Sequence, residues 1–423
     1  MKPRKVELIK HAQHYQLTVD GEPFYIKGAG LDLGNIKTLA DHGGNAFRTW
    51  RVENGQNSAL EILDEAHKYG LMVCMGLEVA RERHGFDYDD KVAVANQLAL
   101  IKQDIQALKD HPALLMWGIG NELNLRHTNA KVWDAVNELS KMIHQLDPNH
   151  PTTTMLAGAE PKDIKLVAKR CPDVDLLSFQ VYGEIDQLPR FISKSKFKGA
   201  YTVSEWGATG HWESPCTDWK RPIEASSSEK AESYKQRYLN YIAADTAQCI
   251  GSFVFLWGQK QERTPTWYGV FLENGLRMGA AQVMQYLWTG KWQEHRAPII
   301  SALTIDGLAA CDSVRLTVNK LYSAKVSSDT PSDQALRYRW EIMREIDKDV
   351  ESDGGDFEPT PEIVWHQSGA ETAAQIQFKA PDAGEYRLYV YLEDNHGNAA
   401  TANLPILVGP LPSSVNPADR LAG

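Results

Sequence analysis

The stretch that decides the fold is His111–Asn124, HPALLMWGIGNELN. Its apolar run, Leu114 to Ile119, ends abruptly at Gly120, Asn121 and Glu122. Such a run is typical of a buried parallel strand, and an α/β barrel carries its chemistry just past the carboxyl ends of its strands. We therefore expect Asn121 and Glu122 to lie at the functional end of a barrel strand.

A second stretch has the same form. In Ala200–Gly207, AYTVSEWG, Glu205 follows another apolar strand candidate. An isolated glutamate is more often a surface or salt-bridge residue than a catalytic one. Cleavage of a glycosidic bond, however, needs two carboxyl groups that face a common sugar, and two strand ends of one barrel can supply them. The two glutamates together therefore favour a catalytic role.

The composition is that of a globular protein with two domains. The chain has 423 residues, 43% of them apolar and 24% charged, and a formal net charge of −10. This length exceeds one ordinary domain, and the negative charge argues against nucleic acid and anionic membranes as partners. No segment approaches the roughly 18 apolar residues that a membrane span needs. The oligomeric state stays open.

The cysteines and the N-terminus indicate neither a metal site nor a leader segment. The five cysteines, at positions 74, 171, 216, 249 and 311, show no CxxC pair or zinc-type spacing. We therefore predict no disulfide framework, no metal and no cofactor. The opening MKPRKVELIK is basic but has no apolar segment, so no signal peptide is predicted in it. The location stays open, with a periplasmic or secreted one favoured if a signal peptide has been removed and a cytoplasmic one otherwise.

Strand and helix signals alternate over residues 24–295, after a hairpin at 1–23 that turns at Val19-Asp-Gly-Glu-Pro23. The eight strand candidates are Phe24–Gly28, Asn45–Trp50, Leu71–Val79, Leu114–Ile119, Thr152–Leu156, Leu176–Tyr182, Tyr201–Ser204 and Ser252–Trp257. Apolar residues recur at helical spacing in 91–109 and 131–145, and Ser226-x-x-Glu229 is a candidate capping box. This rhythm predicts a (β/α)8 TIM barrel, in the α/β class. A doubly wound sheet is disfavoured because no GxGxxG or P-loop follows the first strand.

The pattern changes after Trp292. Over residues 296–408, short alternating segments separated by turns predict an all-β, Ig-like sandwich. It could be a carbohydrate-binding module, a spacer or a docking domain, and we favour a structural accessory role. The acidic stretch Asp347–Glu358 is predicted to be a solvated loop, with a Ca²⁺ site as the alternative. Residues 409–423 are predicted to form a disordered tail.

Four stretches carry a resemblance to a known family. They are Gln16–Gly28 (QLTVDGEPFYIKG), Gly43–Thr49 (GGNAFRT), Trp117–Leu123 (WGIGNEL) and Ser204–Gly207 (SEWG). In this order, over roughly residues 15–290, the chain resembles the clan A glycoside hydrolases, and among them the TIM-barrel domain of glycoside hydrolase family 2. The Asn-Glu pair alone is only moderately specific, and the ordered set is much more so.

The resemblance implies roles for individual residues. Glu122 would be the general acid/base and Glu205 the nucleophile of a retaining mechanism. Asn121 would bind the sugar 2-hydroxyl group. Arg48 would keep Glu205 ionised and Tyr182 would donate a hydrogen bond to it. For Arg48 and Tyr182, a purely structural hydrogen bond is the alternative.

Aromatic residues are expected to bind further parts of a sugar chain. Trp257, which ends the eighth strand, would form the floor under the sugar at the cleavage point. Trp206 follows the nucleophile, and Trp212 and Trp267 lie in long loops on the same side. These loops are Ala80–Asp90, Ala208–Ser227 and Gln259–Gly275. Such loops favour a cleft for several sugar units, although packing of the rings onto the barrel is the alternative for each.

The domain order departs from the family pattern. Family 2 enzymes carry a jelly roll and a sandwich before the barrel, whereas here the sandwich follows it. For this reason we infer no galactosidase, glucuronidase or mannosidase activity.

The sequence predicts a retaining β-glycoside hydrolase that acts on a β-linked oligo- or polysaccharide, with a β-glucan favoured. A β-glucan transglycosylase and a non-catalytic glycan-binding barrel are the alternatives. A metal-dependent aldolase lacks support, since no His, Asp and Glu cluster has ligand spacing at the strand ends.

Overall fold

A computed structural model describes residues 2–32, 34–329, 336–347, 357–368 and 373–409. The chain begins with a three-stranded antiparallel sheet of β1 (Val6–Lys10), β2 (Tyr15–Val19) and β3 (Glu22–Pro23). Asp20 and Gly21 form the two-residue turn between β2 and β3, with φ of 52° and 85°. Positive φ at both positions is what a tight hairpin turn with the twist of its strands requires. Apolar side chains of β1 and β2 pack with the amino-terminal parts of the barrel strands, so the sheet covers that end.

Eight parallel strands close into a barrel in which each strand lies beside its neighbours in sequence. They are β4 (Ile26–Gly30), β5 (Ala46–Arg48), β6 (Met72–Leu77), β7 (Leu114–Asn121), β8 (Thr152–Ala157), β9 (Leu176–Gln180), β10 (Tyr201–Trp206) and β11 (Cys249–Val254). The last strand pairs with the first, with Gly251 opposite Ile26. The predicted TIM barrel is confirmed, and each observed strand overlaps its candidate.

Eight α-helices accompany the strands. They are α1 (Ile36–Asp41), α2 (Ala59–Lys68), α3 (Lys91–Leu108), α4 (Lys131–Leu146), α5 (Pro161–Arg170), α6 (Leu188–Ser195), α7 (Ser227–Arg237) and α8 (Gly279–Thr289). The capping box before α7 is present, since Ser226 and Glu229 satisfy each other's backbone N–H groups. Helices α3 and α4 cover the two stretches in which apolar residues recur at helical spacing.

The chain forms two further β-sheets from strands that follow α8 and from one short strand, β12 (Arg277–Met278), that precedes it. The strands that follow α8 are β13 (Ile299–Ile305), β14 (Arg315–Thr317), β15 (Leu321–Asp329), β16 (Arg337–Arg344), β17 (Ile363–Ser368), β18 (Gln375–Lys379), β19 (Gly384–Glu393) and β20 (Asn398–Gly409). Six strands make the larger sheet, and β13, β15 and β18 make the smaller one. The two sheets share one apolar core, for instance between Val326 of the smaller and Trp340 of the larger. We call residues 296–409 the β unit.

The barrel and the β unit are joined by a strand pairing and by buried polar contacts. Strand β12 precedes the last barrel helix yet pairs with β20 in the larger sheet. The Asn403 amide donates to Glu224 at 2.5 Å, and Glu224 forms a buried ion pair with Lys230. Arg387 donates to the carbonyl of Pro222 at 2.9 Å. The two parts therefore pack as one continuous structure.

Part of what the sequence predicts falls outside the described residues, namely 348–356 of the acidic stretch and 410–423 of the tail. Glu358, at the end of the acidic stretch, is buried, which differs from the solvated position predicted for it. Within the described ranges, no group of three or more His, Cys, Asp or Glu side chains is placed to hold a metal ion. None of the helices in these ranges has the length and apolarity to cross a membrane.

Candidate active site

Glu205 lies at the carboxyl end of β10, where four side chains donate hydrogen bonds to it. Its Oε1 accepts from Arg48 Nη1, Trp50 Nε1 and Gln180 Nε2, each at 2.8 Å. Its Oε2 accepts from the Tyr182 hydroxyl, also at 2.8 Å. Glu205 is 5% exposed. Charge-assisted bonds of this kind, with a guanidinium among the donors, stabilise the ionised carboxylate.

The barrel itself brings these donors together. Arg48 ends β5 and Gln180 ends β9, and the carboxyl ends of parallel barrel strands converge on one face. Trp50 stands two residues after Arg48 and Tyr182 two residues after Gln180. Side chains two apart along an extended chain point to the same side. The four donors therefore reach Glu205 from two strand ends.

Asn121, at the end of β7, shares two of these donors. Its Oδ1 accepts from Arg48 Nη2 and from Gln180 Nε2, both at 2.7 Å. With the amide oxygen engaged twice, the amide nitrogen Nδ2 is the atom of Asn121 that can donate to a ligand. Asn121 borders the same cleft as Glu205.

Glu122 follows Asn121 in an unusual backbone conformation. Its φ is 52°, in the left-handed region that costs a non-glycine residue about 1–2 kcal/mol. Its backbone N–H donates to the Met155 carbonyl of the neighbouring strand at 3.0 Å. Such a conformation is held where the surrounding structure fixes it, and these positions cluster at functional sites.

The surroundings of Glu122 favour its protonated form. Burial, and then the nearby Glu205 carboxylate, raise the pKa of Glu122 from 4.5 to about 8. Arg83 opposes this in part, with its Nη2 3.8 Å from Glu122 Oε2. The surroundings of Glu122 thus favour its acid form, while Glu205 is surrounded by hydrogen-bond donors. Two carboxyl groups in such different environments can take different roles in acid–base chemistry at one centre.

Phe255, rather than Trp257, lies beside two of the side chains that donate to Glu205. Its ring centroid is 5.8 Å from that of Trp50 and 6.0 Å from that of Tyr182. Trp257 also borders the cleft, but its ring is almost wholly buried against other aromatic rings and its Nε1 donates to Thr38 at 3.0 Å. Phe255, which was not identified from the sequence, is therefore a second candidate for the floor under the sugar, and the role expected of Trp257 stays a prediction.

Two of the tryptophans expected to bind substrate lie away from the cleft. Trp206 is fully buried and packs against Tyr234 at 5.6 Å, because successive side chains of a strand point to opposite faces and Glu205 takes the inner one. Trp267 is buried, and its Nε1 donates to the Thr209 carbonyl at 2.9 Å. Both side chains therefore pack inside the protein in this structure, and the substrate contact expected of them stays a prediction. Trp212, in contrast, is 60% exposed and borders the cleft.

The cleft that contains both glutamates is large and acidic. Its volume is about 1460 Å³, above the roughly 300–1,000 Å³ of ordinary small-molecule sites. Its basic side chains are those of Arg51, Arg81 and Lys260. Its carboxyl groups belong to Asp32, Glu78, Glu122, Glu160, Glu184, Glu205, Glu213, Glu262 and Glu358.

Besides Phe255, three residues near Glu122 and Glu205 were not identified from the sequence, namely Trp50, Gln180 and Arg83. Trp50 and Gln180 could have been found from the sequence. Each has a polar group at the tip of its side chain, lies near the end of a predicted strand, and stands two residues from a candidate site residue, Arg48 or Tyr182. Arg83 could not have been found, because it lies inside a long loop whose path the sequence does not define.

Comparison with known proteins relates the barrel to glycoside hydrolases. Residues 32–212 match the family described as "Glycosyl hydrolases family 2, TIM barrel domain". The beta-glucuronidase of Chlorocebus aethiops is 24% identical over 229 residues, which cover 46% of this chain and 32% of that protein. The human beta-glucuronidase is 24% identical over 189 residues, covering 40% and 26%. The chain thus matches about a third or less of these relatives.

A solved structure supports the fold. A calcium-binding mutant of Bacteroides uniformis beta-glucuronidase 2 superposes with a TM-score of 0.51 and 13% identity, over 96% of this chain and 48% of that one. At this identity the likeness concerns the fold alone. Together the matches show a TIM barrel like that of glycoside hydrolase family 2, homologous to enzymes that act on O-glycosyl bonds.

Proposed function

We propose that this chain is a retaining β-glycoside hydrolase in which Glu205 is the nucleophile and Glu122 the acid/base. The observation that carries the proposal is the contrast between the two carboxyl groups. Glu205 accepts hydrogen bonds from four side chains, whereas burial and the charge of Glu205 raise the pKa of Glu122 to about 8. The homology to glycoside hydrolases supports the same reaction class.

In the first step, Glu205 attacks the anomeric carbon while Glu122 gives its proton to the departing glycosidic oxygen. Oε2 is the better nucleophile of the two Glu205 oxygens, because it accepts one hydrogen bond and Oε1 accepts three. Asn121 Nδ2 would donate to the sugar 2-hydroxyl group, a bond that strengthens as positive charge develops on the ring. The product of this step is a covalent glycosyl-enzyme.

In the second step, Glu122, now ionised, takes a proton from water as the water attacks the anomeric carbon. The bond to Glu205 breaks, its carboxylate is restored, and two inversions give net retention of configuration. A sugar hydroxyl in place of water would give transglycosylation through the same intermediate. Product analysis separates the two outcomes.

For the substrate we propose a neutral β-linked glycan, with a β-glucan favoured. Among the described residues, nine carboxyl groups and three arginine or lysine side chains border the cleft. Arg51 lies 3.5 Å from Asp32, and Lys260 lies 2.8 Å from Glu262. Such a field repels a uronate and leaves a neutral sugar unaffected. This argues against a glucuronide here, although the curated relatives are beta-glucuronidases. For the β unit we propose an Ig-like sandwich fold and a structural accessory role.

The test is product analysis with a panel of β-glucans, a β-mannan, a β-xylan and an aryl β-glucuronide. Wild-type protein is compared with Glu205→Gln, and with Glu273→Gln as a control because Glu273 is exposed. We expect β-configured products from a neutral glycan, seen by NMR immediately after cleavage, from the wild type and the control only. Binding without cleavage would favour the non-catalytic glycan-binding barrel. Products of α configuration, or cleavage by Glu205→Gln at the wild-type rate, would overturn the proposal.

A further inference from the structure

The catalytic cleft is not bordered by the barrel alone. Phe357, Glu358 and Thr360 of the β unit also border it, between strands β16 and β17. Phe357 is 88% exposed. A single exposed apolar side chain is ordinary on a protein surface. Phe357 differs because it stands in the same cleft as Glu122 and Glu205, from a part of the chain that lies outside the barrel.

The residue after Phe357 is anchored to the barrel. The Glu358 side chain has no exposed surface. Its Oε2 accepts from the Arg263 backbone N–H at 2.5 Å, and its Oε1 lies 3.5 Å from the Arg263 guanidinium. A buried carboxylate paired in this way fixes the adjoining backbone, so Phe357 is held at the cleft edge without being buried itself.

Further contacts link Arg263, the partner of Glu358, to Trp212, the second exposed aromatic residue of the cleft. Arg263 Nε donates to His211 Nδ1 at 3.4 Å, an acceptor that stays neutral because burial and Arg263 lower the pKa of His211 to about 3. The His211 ring lies 4.9 Å from that of Trp212. Trp212 in turn lies 5.5 Å from Tyr182, which donates to Glu205. The contacts therefore run without a break from the β unit to the nucleophile.

We propose that Phe357 and Trp212 are stacking platforms for sugar rings of the same glycan beyond the one at Glu122 and Glu205, so that the β unit completes the substrate-binding cleft. This rests on the proposed function for the identity of the ligand. An exposed aromatic ring gains most from a flat apolar face, and the C–H face of a β-linked pyranose is one. The cleft, of about 1460 Å³, has room for several rings. Glu358 and Arg263 are positioning residues for Phe357.

The experiment compares substrates of different length. Wild type, Phe357→Ala and Phe357→Trp are assayed with an aryl β-glucoside and with β-glucan oligosaccharides of two to six units. We expect Phe357→Ala to leave the aryl glucoside kinetics unchanged and to raise KM for the longer oligosaccharides about 2- to 10-fold, with kcat little affected. Phe357→Trp should restore the wild-type KM. The matched control is Ile363→Ala, another exposed apolar residue of the β unit, which should change nothing.

A binding measurement separates this inference from the proposed function. Calorimetric titration of the longest oligosaccharide into wild type and Phe357→Ala needs no turnover. Weaker binding by the variant supports the platform even if the wild type cleaves nothing. Equal binding and equal KM at every chain length would overturn it, and so would the absence of binding to the wild type.

The contact between Glu358 and Arg263 is tested by a separate variant. Glu358→Gln keeps the size of the side chain but loses its charge, and should raise KM for long oligosaccharides in the same direction as Phe357→Ala. A residue with a purely structural role would instead lower the melting temperature and leave the dependence on chain length unchanged.

Discussion

Arg48 and Glu205 form an ion pair of 2.8 Å that is almost wholly shielded from water, with side-chain exposures of 1% and 7%. The second terminal nitrogen of the same guanidinium binds Asn121 at 2.7 Å. One planar cation thus orients both Glu205, the proposed nucleophile, and Asn121, proposed to bind the 2-hydroxyl group. Lysine carries the same charge but cannot span two acceptors in a fixed plane.

The first prediction concerns the bridge that the Arg48 guanidinium forms between Glu205 and Asn121. Arg48→Lys should lower kcat/KM by about 10- to 100-fold, the equivalent of one hydrogen bond to a charged group. The loss should be similar for short and long substrates, since the bridge acts at the cleavage point. Steady-state kinetics checks this, with circular dichroism to confirm that the variant is folded. Unchanged kcat/KM would show that the bridge serves structure only.

The second prediction concerns pH. The first step needs Glu122 protonated, and the pKa of Glu122 is raised to about 8. kcat/KM should therefore fall as the pH rises through about 8, because the acid form is lost. Glu122→Ala should lack this fall when assayed with a substrate whose leaving group needs no protonation. Azide should rescue the variant and give a β-glycosyl azide. A fall near pH 8 that persisted in Glu122→Ala would assign it to another group.

The third prediction concerns stability. The pKa of Glu122 is about 8 in the folded protein and near its ordinary value, 4.5, in the unfolded chain. Between these values the folded state binds the proton more tightly, so the free energy of unfolding falls as the pH rises from 4.5 to 8. Glu122→Gln removes this penalty. Its melting temperature should exceed that of the wild type by a margin that grows over this range. The exposed control, Glu273→Gln, should follow the wild type, and a margin independent of pH would contradict the argument.

The fourth prediction concerns Glu224, which accepts a hydrogen bond from Asn403 of the β unit and pairs with Lys230 of α7. Glu224 and Lys230 form an ion pair with exposures of only 1% and 8%. Glu224→Ala leaves the ammonium buried without its partner and should lower the free energy of unfolding by about 3–5 kcal/mol. The matched control is Glu138→Ala, which breaks the exposed pair with Lys141 and should cost within about 0.5 kcal/mol. Urea denaturation measures both, and equal losses would show that the buried pair contributes little.

The sequence was sufficient for the barrel because its strand signals are local. An apolar run that ends in a polar pair, as at Asn121 and Glu122, marks both a strand and its carboxyl end. The barrel then places such ends together, and this is why Arg48, Asn121, Tyr182 and Glu205 do meet in the structure.

The sequence was insufficient for residues whose position depends on the direction of a side chain or on packing between distant parts of the chain. Trp206 was expected in the cleft although it alternates with Glu205 and so faces the helices. Phe357 was not singled out, since its place at the edge of the cleft depends on how the β unit docks and not on any pattern around residue 357. Trp212 was expected at the cleft and borders it, because its loop follows directly from β10.

Strand β12 has a consequence for recombination between related genes. It lies between the last barrel strand and the last barrel helix, yet its partner is β20, near the end of the β unit. A crossover at the sequence boundary, after α8, would pair Arg277 and Met278 with a β20 strand from another gene. A crossover before residue 277 would divide the barrel itself. Barrel and β unit are therefore expected to be inherited as a single piece, with substitutions on either side of β12 and β20 changing together.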